Sequence, residues 1–408
     1  MIRETPGESR KNMTLTLLLD LDDTLLNTNM DSFIPAYFQA LSRELAPHIA
    51  PELMLRALMS GTKRMMESED FSQTLKQVFN AVFYPQINSP YEKISDAIEN
   101  FYDHVFPTLG GVTTPKPEAK PFIDWAFSQG FRVAIATNPL FPRKATYHRL
   151  RWAGFEPEQF ELVSTYDHFH FSKTYPAYYA EVLGRMGWPE GPVLMVGDDM
   201  ERDIRPAQML GLATYHVDGE SASGFGPETR GSGKLADLRQ WIESTDLASL
   251  NPSFKSIDSV LGILSATPAA LNGLTCGLDP SSWSHAPHPD DWALIEIICH
   301  LRDSEREIHQ MQINLFAEQN EPFIPRPDTS VWASHRDYLH ENGVSALMEF
   351  NEARRETLIL LRKATAERWG QKARHAIFGP TNFLEVIGFI ADHDRMHIQQ
   401  VWSTLKKL

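Results

Sequence analysis

The stretch LLLDLDDTLL, Leu17–Leu26, runs leucines straight into three carboxylates, Asp20, Asp22 and Asp23. So apolar a run suits a strand buried on both faces, as in a parallel sheet. Carboxylates that leave water cost several kcal/mol each unless they are paired or metal-bound. A buried strand that ends in acids therefore ends at a site. The rest of the chain must supply whatever offsets those charges.

The same rhythm recurs downstream. Short apolar strands are expected at Leu15–Asp20, Phe131–Thr137, Leu162–Ser164, Val193–Val196 and Ala213–Val217, with helical stretches at Lys144–Trp152, Ala177–Arg185 and Asp203–Leu210 between them. Strand and helix in alternation predict a Rossmann-like parallel sheet covered on both faces, an α/β class. Residues from about 30 to 109 interrupt that rhythm and read as helices only. Within them, Ser89-Pro90-Tyr91-Glu92 reads as a capping box opening an amphipathic helix, with Ile94, Ile98, Phe101 and Val105 on one face. Such an insert is placed to act as a lid over the sheet's carboxyl edge. Asp218–Lys234 is rich in Gly and Ser and reads as a loop, Leu235–Ser244 as a closing helix, and 245–254 as a linker.

After Phe254 the strands stop. Helical blocks at about 256–272, 290–315, 344–365 and 382–405 predict a separate all-α four-helix bundle. The expected organisation is a polar N-terminus over 1–13, a first domain over 14–244 and a bundle over 255–408. The first domain has its core at 14–29 and 110–244 and its helical insert at about 30–109.

Composition narrows the partners. The net charge is −15 and no basic stretch stands out, which argues against nucleic acid or an anionic membrane. Two cysteines, Cys276 and Cys299, exclude a disulfide framework and suit a reducing cytoplasm. No signal peptide or transmembrane segment is read from the sequence.

Asp20 and Asp22 lie two positions apart at a strand end, Thr137 and Asn138 end a second strand, and Asp198 and Asp199 end a third, followed by Asp203. Lys173 follows the strand and loop between the last two. Ligands of open parallel sheets bind outside the carboxyl ends of the strands, where all of these meet. Clustered carboxylates call for a hard divalent cation such as Mg. One carboxylate can attack phosphorus, a second can carry the proton, and a hydroxyl and a lysine can hold the phosphoryl oxygens. The simpler reading of an acid at a strand end, a turn or helix cap, is preferred for Asp23.

DLDDT, a strand ending in TN, a lysine and GDDMERD, in that order, resemble the haloacid dehalogenase-like hydrolases. The resemblance implies Asp20 as nucleophile and Asp22 as general acid/base, with its backbone carbonyl also on Mg. It further implies Thr137 and the Asn138 backbone as phosphate binders, Lys173 as the third-motif lysine and Asp198 as the principal metal carboxylate. Asp199 and Asp203 both remain candidates for the supporting acid. Lys173 is followed by TYP, a small departure from the family pattern. The acid at Asp22, absent from true dehalogenases, favours a phosphatase, and mutases of the family keep it too. The helical insert is similar to the family's cap. The implied substrate is a small phosphorylated metabolite.

Nine of the 15 histidines fall in the helical part, which directs a search for ligands there. His393 and His397 are four apart on one helical face, which suits a metal or a polar seam. His300 on another helix can complete a set. His285 and His288 read as an exposed loop pair, and His309, His335, His340 and His375 as surface or packing residues. Trp292 followed by His300-Leu301-Arg302-Asp303-Ser304-Glu305, and the terminal His393-Asp394-Arg395-Met396-His397-Ile398-Gln399-Gln400, resemble the DinB-like (YfiT-like) four-helix superfamily. That resemblance implies His300, His393 and His397 as ligands of a divalent metal, with Zn, Ni and Fe all open. It also leaves two alternatives for the chain, a metal-dependent thiol S-transferase or a metal-binding interaction module. A bundle face could serve a homodimer.

Overall fold

In the computed structural model, residues 14–219, 230–289 and 291–407 are described. The expected polar N-terminus, 1–13, lies outside them. Two compact units result. The first runs to Tyr179 and resumes over Glu190–Pro252; the second comprises Ala180–Pro189 and Ser253–Leu408.

The first unit is built on six strands: β1 Thr16–Leu19, β2 Arg132–Ile135, β3 Leu162–Val163, β4 Val193–Gly197, β5 Ala213–Val217 and β6 Arg230–Gly233. All pairings are parallel, in the order β3-β2-β1-β4-β5-β6. β1 is central, and Thr16, Leu17, Leu18 and Leu19 are all fully buried. Burying each leucine contributes about 1.5–3 kcal/mol. The chain leaves β1 for β2 on one side and later returns to β4 on the other. That reversal opens a crevice at the carboxyl end of β1.

The insert is helical, with α1 Met30–Leu45, α2 Pro51–Met66 and α3 Leu75–Ile87. Its apolar cluster centres on Phe33, Tyr37, Phe101 and Phe106. A two-stranded antiparallel ribbon, Leu26–Asn27 against Thr114–Pro115, ties its two ends together. The single amphipathic helix expected after Ser89 does not form. A 3-10 turn at Tyr91–Lys93, helix α4 at Ser95–Asn100, a π turn at Phe101–Val105 and a 3-10 segment at Phe106–Val112 follow one another instead. Ile94, Phe101, Tyr102, Phe106 and Leu109 are the buried residues of this stretch. The wider π turn rotates the chain between them, and Pro107 cannot donate to the ladder.

Two other expectations are corrected. The end of the Gly/Ser-rich loop, Arg230–Gly233, is the edge strand β6, whose polar sequence carries no apolar alternation; residues 220–229 of that loop lie outside the described residues. The linker is partly structured: Leu247–Leu250 forms a 3-10 turn, and Leu250 is buried in the core of the first unit.

The second unit contains α5 Ile257–Thr275, α6 Leu294–Ser304, α7 Gly343–Arg362 and α8 Phe383–Leu405. α5 and α6 each pack on both α7 and α8, giving the four-helix arrangement. α5 is long and apolar enough to cross a membrane by length and composition, but 67% of that window is buried inside the bundle. The second helical block starts at Leu294 rather than 290, with Ala293 as N-cap, and Asp290 lies outside the described residues. It continues through a π turn at Glu305–His309 into Gln310–Glu318. A small sheet was not anticipated: Lys372–His375 pairs antiparallel with Gly379–Asn382 and parallel with Phe323–Ile324.

Candidate active site and candidate metal centre

The eight residues singled out in the first unit line one cavity of about 270 Å³ at the carboxyl edge of the sheet. Asp20 continues β1, its N–H donating to the Val196 carbonyl at 2.9 Å. The chain then turns sharply. Asp23 takes a left-handed φ of 54°, and its carboxylate accepts the N–H groups of Thr28 (3.0 Å) and Asn29 (3.3 Å). Asp23 thus closes the turn that presents Asp22. Thr28 donates its hydroxyl to Asp22 Oδ1 at 2.6 Å.

Thr137 and Asn138 follow β2. The Thr137 carbonyl is held by the Ser164 and Tyr178 hydroxyls at 2.6 and 2.8 Å, and Asn138 Oδ1 accepts the Lys173 N–H at 3.3 Å. Lys173 is 1% exposed; its ammonium lies 2.6 Å from Asp20 Oδ1 and also contacts Asp203. Burial opposes its charge, but the two carboxylates outweigh it and raise the Lys173 pKa.

Asp198 follows β4, with its carbonyl on His216 Nε2 at 2.8 Å and its carboxylate accepting the Thr24 hydroxyl at 3.2 Å. Asp199 and Asp203 separate clearly in geometry. Asp199 caps the following helical turn, accepting from the Glu201 and Arg202 N–H groups, and pairs with the Arg202 guanidinium. Arg202 holds the Asp199 pKa below the usual range against the effect of burial. Asp203 reaches back to the cavity floor. That approach needs Gly197, where any Cβ would overlap the Asp203 carboxyl.

Ligand atoms of Asp20, Asp198 and Asp203 lie within 4.8 Å of one another. Burial, and then the Asp20 charge, push Asp198 up to about 6 and Asp203 up to about 7. Such a set of carboxylate oxygens, short of positive charge, fits a hard divalent cation. Arg149, not picked out from the sequence, also lines the cavity. It is 1% exposed and pairs with Asp22. Burial lowers its pKa to about 10 against the pull of Asp20. No motif marks an arginine in mid-helix, so only folding could reveal it.

In the second unit His300 of α6 meets His393 and His397 of α8, with ligand atoms again within 4.8 Å. The Nε2 atoms of His300 and His393 are 3.1 Å apart, and His397 Nδ1 meets Gln400 Oε1 at 2.9 Å. Burial comes first in lowering all three pKa values; the neighbouring histidines lower His300 and His393 further, leaving His300 at about 3. Neutral imidazoles with lone pairs converging at this spacing fit a divalent ion, since tetrahedral ligation at about 2.0–2.1 Å sets nitrogens roughly 3.4 Å apart. Trp292 stacks parallel to His397, with centroids 6.2 Å apart.

Beneath the cluster lies a buried ion network absent from the sequence reading. Arg354, fully buried, donates to Glu305 at 3.0 and 2.7 Å and also pairs with Asp394, tying α7 to the two ligand-bearing helices. Against its burial, Arg354 and His309 hold the Glu305 pKa far below the usual range. His309, read only as a surface or packing residue, is buried; its Nδ1–H donates to Glu305 at 3.0 Å and its ring lies 5.3 Å from that of His393. His393 and His309 open onto a cavity of about 450 Å³. His285 and His288 are exposed and take no part in this cluster.

Residues 14–211 match the haloacid dehalogenase-like hydrolase family, and residues 263–401 match the DinB superfamily. A glyceraldehyde 3-phosphate phosphatase of Methanocaldococcus jannaschii is 25% identical over 214 residues, 49% of this chain and 83% of the relative. Among solved structures, an HAD phosphatase from Thermococcus onnurineus is similar at 20% identity and a TM-score of 0.37, covering 56% of this chain and 98% of its own. YfiT from Bacillus subtilis, of unusual four-helix bundle topology, is similar at 19% identity and a TM-score of 0.35, covering 38% of this chain and 88% of its own. The fold assignment stands on the strand order, the helix packing and the two family matches.

Proposed function

The chain carries a haloacid dehalogenase-like hydrolase domain over residues 14–211 and a DinB superfamily domain over residues 263–401, and from this we propose that it is a Mg-dependent phosphatase acting on a small phosphate monoester. The observation that carries the reading is the meeting of Asp20, Asp22, Thr137, Lys173, Asp198 and Asp203 around one cavity. Asp20 attacks phosphorus, and Asp22 passes a proton to the leaving oxygen. Asp22 then takes a proton from the water that attacks the phosphoaspartate, which restores Asp20. Lys173 and the Thr137–Asn138 turn offset charge on the phosphoryl oxygens. Asp198, Asp203 and Asp20 would hold the Mg ion, which when bound supplies further charge stabilisation. Asp203 rather than Asp199 is the supporting acid in this reading, because Asp199 is committed to Arg202. The M. jannaschii relative makes glyceraldehyde 3-phosphate a natural member of the first substrate panel. The test is phosphate release from small monoesters with Mg, by the full chain and by Asp20→Asn. Release undiminished in the variant removes this mechanism.

A second reading concerns the bundle. Three neutral, converging imidazoles beside a cavity support a divalent metal on His300, His393 and His397, with open positions for water or a thiolate. Metal content of His300→Ala and His393→Ala tests it, and unchanged content counts against it.

A further inference from the structure

Arg149 is the buried charge that this mechanism leaves unused. It lies on the helix Arg143–Trp152 and borders the same cavity as Asp22. Its Nη2 pairs with Asp22 Oδ2, while Nε and Nη1 are buried with no partner. Native folds rarely leave buried donors unsatisfied, and a guanidinium is among the costliest groups to leave so. Its Cζ lies 4.9 Å from the centre of the Phe141 ring, a cation–π contact.

The other cations bordering the cavity are committed. Lys173 bridges Asp20 and Asp203, and Arg202 is spent on Asp199. Arg149 can change partner without dismantling either arrangement. Its present partner, Asp22, is the residue that must face the leaving oxygen, yet both Asp22 oxygens are engaged, by Thr28 and by Arg149. A group that drew Arg149 away would free Asp22 Oδ2 to turn to the substrate.

We propose that Arg149 binds a carboxylate on the carbon skeleton of the substrate, so that the substrate class is the phosphate monoester of a short hydroxy acid. This rests on the phosphatase reading above and deepens it. Once Nη2 leaves Asp22 it forms, with the unspent N–H of Nε or Nη1, a planar fork that matches a carboxylate in two-point contact. Asp22 marks the side of the leaving oxygen, so Arg149 next to it faces the carbon portion rather than phosphorus. Met30, Ile34, Leu140 and Phe141 add apolar lining to the cavity, and about 270 Å³ leaves room for only a short chain. The binding event exchanges one carboxylate for another on the same guanidinium, and no covalent bond changes in it.

3-Phosphoglycerate and glyceraldehyde 3-phosphate differ at one carbon, acid against aldehyde, and form the matched pair for the test. With the full chain and Mg, the acid is expected to exceed the aldehyde in kcat/KM by about a hundredfold, because the site's donors stay unpaired on the aldehyde. In Arg149→Met that ratio falls to within about threefold of unity, and in Arg149→Lys it lies between, the change residing mainly in KM. A variant that folds poorly lowers both rates together and leaves the ratio readable. Inhibition of the wild-type enzyme by glycerate but not by glycerol is the accompanying binding result expected. A wild-type ratio near unity, or a ratio retained in Arg149→Met, overturns the assignment. Phosphate release undiminished in Asp20→Asn overturns the phosphatase mechanism instead, so the two failures are distinct.

Discussion

In the first unit, burial and then the Asp20 charge push Asp198 up to about 6 and Asp203 up to about 7; in the second, burial and neighbouring histidines push His300 down to about 3. The carboxylates resist giving up protons and the imidazoles resist taking them. Each cluster is poised for a cation by the opposite route, one by an excess of negative charge and the other by lone pairs kept free. Oxygen donors in the first suit Mg, and nitrogen donors in the second suit a transition metal. The supporting contacts differ in the same sense. Lys173 partly offsets the acids from within their cavity, whereas Arg354 stands behind the histidines and fixes the helices that carry them.

The largest effect that could break this contrast is at Asp20. Asp20→Asn should lower kcat for phosphate release by about 10⁴-fold or more, since an amide is no nucleophile and Asp22 carries the proton in this reading; a steady-state phosphate assay reads it. Next, His393→Ala should weaken the bundle's metal by more than about a hundredfold, a direct ligand counting for at least as much as an outer-shell partner. Metal analysis after dialysis measures this, and the Mg response of phosphate release should persist if the two clusters bind separate ions. A finer test separates two neighbouring acids. Asp203→Asn should cost about 10²-fold in kcat, and Asp199→Asn less than about tenfold, because only Asp203 reaches Lys173 and the cavity floor. Equal losses would merge roles that the geometry keeps apart.

The smallest effect is on stability, and its sign differs between the units. Folded Asp198 and Asp203 have raised pKa values, so their contribution is fully present below the unfolded value near 4 and is lost as pH rises through about 6 to 7. His300 is lowered to about 3, so its contribution is fully present above the unfolded value near 6.5 and is lost as pH falls toward 3. In metal-free protein, raising pH from about 5 to about 8 should therefore lower protection around the carboxylates and raise it around the histidines. Hydrogen exchange resolved by segment reads both at once. Shifts of the same sign would end the contrast.

The acidic strand ends were legible because few residue types tolerate that position. Leucines flowing into Asp20 and Asp22, or Val196-Gly197 into Asp198, state both the strand and the place where it stops. The histidine trio was legible for a similar reason, since a four-residue spacing on one helix fixes one face. What the sequence left open depended on long-range partners. Asp199 and Asp203 look alike until Arg202 claims the first and Lys173 the second. Arg149 and Arg354 look like ordinary helical arginines, and only packing buries them. Strand β6 was read as loop because its Arg-Gly-Ser-Gly sequence has no alternation, and the helix after Ser89 was read as continuous because its π turn has no sequence mark. His309 was open between surface and packing for want of any sign that Glu305, four residues earlier, would be buried beside it.

The nucleophilic role of Asp20 is the central claim, and rapid acid quench of a single turnover tests it most directly. Full-length enzyme with Mg and a substrate found in the phosphate-release panel is stopped during turnover, digested, and searched by mass spectrometry for a phosphorylated peptide. The phosphoryl group is expected on the peptide containing Asp20, and its loss is expected in Asp20→Asn. A phosphoryl group on another residue, or unchanged turnover in Asp20→Asn, would contradict that role.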